Sequence, residues 1–218
     1  MLFFNLHTHS STKQNDVLEL VNQCPHEFEA SFDAYSIGIH PWYIQENRVD
    51  SDLKLIEEKL TTPTCLAIGE CGLDKKIQIP LQLQETVFEK QLLLAERFQK
   101  PVIIHCVAAF QEIIAIKKKL KISVPMVVHG FSKNQQTAKQ LLENDFYLSF
   151  GKNLIQNSKL ESVFKEIPLN RIFLETDMMD VSIESVYELA SKFKNIPILA
   201  MQQAIAENVE RVFKIANK

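Results

Sequence analysis

Pro101-Val102-Ile103-Ile104-His105 is the stretch that decides the fold. A proline opens it, three consecutive β-branched residues follow, and a histidine closes it. Such continuous apolar runs belong to parallel strands buried on both faces, because a half-solvated strand would alternate apolar with polar. The same construction recurs in both directions along the chain. Pro125-Met126-Val127-Val128 precedes His129, Tyr35-Ser36-Ile37-Gly38-Ile39 precedes His40, and Leu2-Phe3-Phe4-Asn5-Leu6 precedes His7 and His9. Two carboxylates repeat it: Glu70 ends Cys65-Leu66-Ala67-Ile68-Gly69, and Asp177 ends Ile172-Phe173-Leu174-Glu175-Thr176.

Eight strands are predicted, over 2–6, 17–22, 35–39, 65–70, 101–105, 125–129, 146–150 and 171–176. Longer helical patterns separate most of them, which argues for βα units on a parallel sheet. Asp52 is expected to cap a helix through Leu60, and Pro80 to open one from Leu81 to Gln99. Ser132 is expected to cap a helix through Asn144, Ser182 one through Lys194, and a last helix spans about 201–216. The fold class expected is α/β, a (β/α)8 TIM-type barrel. At 218 residues the chain lies near the short end of the ~200 to >400 usual for that fold. The shortening has an address. Residues 10–34 are too few for two complete βα units, so the helices after the first strands must be trimmed.

Bulk properties restrict the function classes. An apolar fraction of 46% and a charged fraction of 23% are ordinary for a globular chain, and residues 1–218 read as a single barrel domain. The net charge of -3 gives no global field to collect nucleic acid, so any such contact is local. No apolar stretch approaches the ~20 residues of a membrane span, and the N-terminus lacks the pattern of a signal peptide. The four cysteines show no CxxC spacing, and reduced thiols with a cytoplasmic location are expected. Lys117-Lys118-Lys119, late in a helix, reads as a solvated face.

Nitrogen and oxygen donors at successive strand ends suit a metal site. His7 and His9 are two apart, so both imidazoles leave one strand on the same side. Glu70 stands between Gly69 and the Cys71-Gly72 pair, where glycines allow a tight turn and leave room beside a carboxylate. His105 and His129 occupy equivalent positions after proline-opened runs. One such histidine alone is more often a satisfied core residue; two of them beside HxH, Glu70 and Asp177 favour ligation. Alternation puts Glu175 and Asp177 on one face, with Asp177 the ligand and Glu175 a deeper partner. The same alternation turns Cys71 and Cys106 away from the site. His26 reads as solvated.

These residues resemble the TatD family of metal-dependent hydrolases, in the amidohydrolase-like barrel superfamily. The resemblance runs almost end to end. It is carried by Asn5-Leu6-His7-Thr8-His9, Ser36-Ile37-Gly38-Ile39-His40-Pro41-Trp42, Ala67-Ile68-Gly69-Glu70-Cys71-Gly72-Leu73-Asp74, Gln91-Leu92-Leu93-Leu94-Ala95 leading to His105, Val128-His129-Gly130-Phe131-Ser132, Leu174-Glu175-Thr176-Asp177 and Glu207-Asn208-Val209-Glu210-Arg211-Val212-Phe213. The resemblance implies two divalent ions, Mg, Mn or Zn. His7, His9, Glu70 and Asp177 would hold one, and Glu70 would bridge to a second held by His105 and His129. His40 would face substrate. It also implies a deoxyribonuclease activity, with Asp177 as general base toward the attacking water and Glu70 catalytic as the bridging ligand.

The chain departs from the family pattern just outside this ring. An arginine and an aspartate usual soon after the strand-five histidine are missing from His105-Cys106-Val107-Ala108-Ala109. The glycine often seen after Phe-Ser is Lys133, and Asp177-Met178-Met179-Asp180 lacks the usual proline. Lys133 and Lys152, past strands six and seven, are candidates to replace the arginine at the substrate; plain surface lysines are the competing reading. The partner expected is DNA or another phosphoester, met by a monomer. Hydrolysis of a small phosphoester, amide or lactone is the alternative. A non-catalytic binding protein is the third, and the complete ligand set argues against it.

Overall fold

The computed structural model describes residues 3–215. In chain order the elements are β1 (Phe3–Thr8), β2 (Val17–Gln23), β3 (Tyr35–Ile37), α1 (Val49–Lys59), β4 (Cys65–Asp74), α2 (Leu81–Phe98), β5 (Val102–Val107), α3 (Phe110–Leu120), β6 (Met126–Val128), α4 (Gln135–Glu143), β7 (Phe146–Phe150), α5 (Lys152–Gln156), α6 (Leu160–Glu166), β8 (Ile172–Leu174), α7 (Ile183–Lys194) and α8 (Ile198–Phe213). The eight strands follow one another in the sheet in sequence order, and the architecture is α/β of the (β/α)8 type. Among the described residues no helix stands between β1 and β2, and only a 3-10 turn, Pro25–Glu27, between β2 and β3. The trimmed start expected from residues 10–34 is therefore present.

Tertiary contacts divide the chain into two compact units. One runs to Val21 and resumes at Val128; the other is Asn22–Val127. Within the first, β1 pairs in parallel with β2 and β7 with β8, and Thr8 forms a parallel bridge to Asp177. Its core includes Phe4, Phe173 and Phe213, with ring centroids 5.4–6.0 Å apart. Within the second, β4 pairs in parallel with β3 and β5. The apolar face of α2, including Val87, Phe88, Leu92 and Ala95, is buried there as its periodicity predicts.

Two buried glutamines of α2 explain where strands of the second unit stop. The sequence extends the third strand to Ile39, but β3 ends at Ile37. The Gln91 amide takes over: its Oε1 accepts the Ile39 N–H at 2.7 Å and its Nε2 donates to the Ile39 carbonyl. Two helical turns earlier, Gln84 does the same for Asp74 at the end of β4. A side-chain amide presents one donor and one acceptor, as a neighbouring strand would.

Several expected ends differ. Asp52 is not a cap; it lies inside α1, where its carboxylate takes the Arg48 Nε–H at 2.9 Å, and the helix starts earlier at Val49. The cap of α4 is Asn134, not Ser132, its Oδ1 accepting the Thr137 N–H. Ser182 does cap α7. The last helix begins at Ile198, directly after Pro197, rather than near 201. Leu2, where the first strand was expected to begin, and residue 216, the expected end of the last helix, lie outside the described residues.

Candidate metal centre

In the unit Asn22–Val127 the site is built on β4. Gly69 and Gly72 have φ of +142° and +143°, which favours glycine. They do not make a turn, as their pattern suggests; β4 runs through them to Asp74. Their role is close approach. A β-carbon at Gly69 would lie 2.6 Å from the Ile103 carbonyl oxygen, and one at Gly72 would overlap the His105 carbonyl oxygen. With β5 drawn this close, Glu70 Oε1 lies 2.8 Å from His105 Nδ1. The Glu70 N–H donates to Asn22 Oδ1 at 2.7 Å, which fixes the backbone that carries the carboxylate.

His40 completes this cluster. Its Nε2 lies 3.1 Å from Glu70 Oε1 and its Nδ1 accepts the Trp42 N–H at 3.1 Å. A neutral imidazole that accepts at Nδ1 carries its proton on Nε2, so that proton points at Glu70. Ligand-capable atoms of His40, Glu70 and His105 lie within 4.8 Å of one another.

Asp74 is the functional residue that the sequence reading missed. It is 2% exposed. Its Oδ2 accepts the indole Nε1–H of Trp42 at 2.8 Å and lies 3.4 Å from His105 Nε2, while Oδ1 accepts the Lys76 N–H. Burial alone would raise this carboxyl; the hydrogen bonds from Trp42, Lys76 and His105 outweigh it and hold it below the usual carboxylate range. Carboxylates in this position orient ligating histidines. The signal was available: residues 70, 72 and 74 of one strand share a face.

In the other unit, β1 delivers His7, the bend just past its end delivers His9, and the chain after β8 delivers Asp177. The Asp177 N–H donates to the His7 carbonyl at 2.9 Å, and Asn5 and Thr176 exchange two bonds at 2.8 and 3.0 Å. These place Asp177 Oδ1 3.7 Å from His7 Nε2 and 3.5 Å from His9 Nε2. Asp177 has a φ of +54°, tolerated best by short polar side chains. Donor atoms of His7, His9 and Asp177 also lie within 4.8 Å of one another. The His129 ring lies 4.5 Å from that of His7, with Nδ1 3.4 Å from Glu175 Oε1. Glu175, 1% exposed, takes the Gly130 N–H at 2.8 Å. It thus sits deeper than Asp177, as alternation predicts.

The remaining candidates are exposed or inert. Lys133 and Lys152 are exposed, on the loop after β6 and at the start of α5. His26 is exposed. Burial pushes the Cys65 thiol up to about 12 and the Cys71 thiol also upward; burial and the nearby Glu70 carboxylate push Cys24 up to about 11. Protonated thiols do not ligate metal.

A family model described as TatD related DNase matches residues 2–214. The chain belongs to this family. Among TatD relatives, a metal-dependent hydrolase of Haemophilus influenzae is 33% identical over 158 residues, 68% of this chain and 60% of that one. A protein of Edwardsiella piscicida named 3'-5' ssDNA/RNA exonuclease TatD is 32% identical over 146 residues, 64% of this chain and 55% of that one. The matched stretches thus span little more than half of each relative's length. In fold, the chain resembles the crystal structure of the TatD homologue YjjV from Escherichia coli, with a TM-score of 0.85 at 21% identity, covering 99% of this chain and 98% of that one. No helix among the described residues is long and apolar enough to cross a membrane.

Proposed function

We propose that this chain is a hydrolase of phosphodiester bonds that removes nucleotides from the 3′ end of single-stranded nucleic acid, with two divalent ions, Mg, Mn or Zn, as cofactors. The observation that carries the proposal is the pair of clusters: His and carboxylate atoms converge within 4.8 Å in each, in a member of the TatD family. Neutral imidazole nitrogens and carboxylate oxygens fit divalent ions of intermediate hardness. His7, His9 and Asp177 would hold one ion, His105 and His129 the other, with Glu70 shared, as the family resemblance implies. Bound ions supply an acidified water and neutralise charge on the attacked phosphate.

The side chains do the rest. Asp177, with its carboxylate 29% exposed, is placed to take a proton from water and pass it to solvent. His40 offers an Nε2–H that a phosphate oxygen can accept in place of Glu70. Asp74 holds His105 in one orientation. Lys133 and Lys152 serve as outlying phosphate contacts. Residues 1–218 act as one catalytic domain, a monomer in the cytoplasm.

The test is metal analysis of the purified protein, with a panel of single-stranded oligonucleotides, phosphomonoesters and lactones. Metal-dependent cleavage of oligonucleotides that Glu70→Ala abolishes is expected. Failure to bind any divalent ion, or unchanged hydrolysis by Glu70→Ala, overturns the mechanism. The absent arginine after His105 favours a second reading, hydrolysis of a small phosphoester; activity confined to such compounds would establish it.

A further inference from the structure

We infer that Trp42 is the platform on which the 3′-terminal nucleobase of the substrate stacks, with Tyr43 flanking the same place. This rests on the nuclease reading above and adds how the substrate is held. Trp42 and Tyr43 are 54% and 48% exposed, on the 3-10 turn Pro41–Tyr43 that directly follows His40. Scattered surface aromatics are common and carry no meaning by themselves. Three observations set this pair apart.

The first is place. The Trp42 ring centroid lies 5.4 Å from that of His40 and 6.0 Å from that of His105, and Tyr43 lies 5.5 Å from His40. Both aromatic rings therefore adjoin the imidazole proposed to meet phosphate, as a base adjoins its own phosphate. The second is fixation. The indole Nε1–H is tied to the buried carboxylate of Asp74, and the Trp42 N–H to His40 Nδ1. An exposed indole would otherwise change rotamer in picoseconds to nanoseconds. Holding it still removes an ordering cost from binding. The third is chemistry. Every base has a π face, so stacking accepts any sequence and needs no basic groove, consistent with the net charge of -3.

Trp42 is the only tryptophan in the chain, so its emission reports on stacking directly. The holoenzyme with Mn²⁺ is titrated with fluorescein-labelled phosphorothioate dT10, which resists cleavage, and with the same oligomer ending in an abasic 3′ nucleotide. Expected are quenching of Trp42 by the base-ended oligomer and binding about tenfold weaker for the abasic one. Trp42→Ala should erase that tenfold preference by anisotropy and raise KM on ordinary oligonucleotides more than it lowers kcat. Trp42→Phe, which keeps a ring, should retain most of the preference. Binding without quenching, or a Trp42→Ala protein that keeps the preference, overturns the inference and leaves the nuclease reading standing. If neither oligomer binds and oligonucleotides are not cut, both fall.

Discussion

The two candidate clusters, one in each compact unit, are built differently. In Asn22–Val127, His40, Glu70 and His105 are buried or nearly so, and hydrogen bonds with Asn22, Trp42 and Asp74 brace them. In the other unit His7 is buried, but the side chains of His9 and Asp177 are 39% and 29% exposed, and Asp177 is placed by backbone bonds to His7 and His9. A braced, buried half holds geometry at the cost of exchange with water. An open half lets protons and water in and out. On the proposed mechanism, the Glu70 side supplies rigidity and the Asp177 side proton traffic.

Four variants can break or sharpen this contrast. Asp177→Asn keeps the shape and loses the base, so kcat should fall about 10²–10⁴-fold. The melting temperature should barely move; a large drop in stability would show that the open half is structural after all. Asp74→Asn should lower metal affinity by roughly 10–100-fold, read by competition with a chelator. It also has a pH signature. The folded carboxyl sits below its usual value of 3.8, so its stabilising effect is full above that range and fades as pH falls through the folded value. The stability gap between wild type and Asp74→Asn should be constant above about pH 5 and shrink below about pH 4. A gap that grew on acidification would contradict the bonding described.

Asn22→Ala removes the acceptor for the buried Glu70 N–H and should cost about 1–3 kcal/mol in urea unfolding. A smaller loss would mean the braced half is less constrained than it looks. The least effect belongs to Lys133→Ala with Lys152→Ala. Exposed charges contribute modestly, so KM on oligonucleotides should rise about two- to fivefold, and less at high salt. No change at all would mark both as ordinary surface lysines.

Much of this was legible beforehand, for definite reasons. Buried parallel strands announce themselves by composition, and a histidine or carboxylate at the end of six of the eight runs marks the site end. The caps were less legible. Ser132 and Asn134 are both good N-caps, and only the Asn134–Thr137 bond separates them. Asp74 escaped because the strand was expected to end at Glu70, whereas it runs on to Asp74, whose bonding depends on Gln84 and Trp42, distant in sequence. Trp42 appeared in the sequence only as part of the family motif, and its exposure follows from the turn that carries it.

One bond pair near the start of the chain bears on the order of events during synthesis. The Tyr187 hydroxyl accepts the Phe4 N–H and donates to the Phe4 carbonyl, across 183 residues. Asp177 and Thr176 clasp the same strand from equally far away. A ribosome adding about 5–20 residues per second reaches residue 187 roughly 10–40 seconds after it makes His7 and His9. The strand that carries these two histidines is therefore translated well before the segments that secure it. Any divalent ion captured by the nascent chain before then meets an incomplete ligand set.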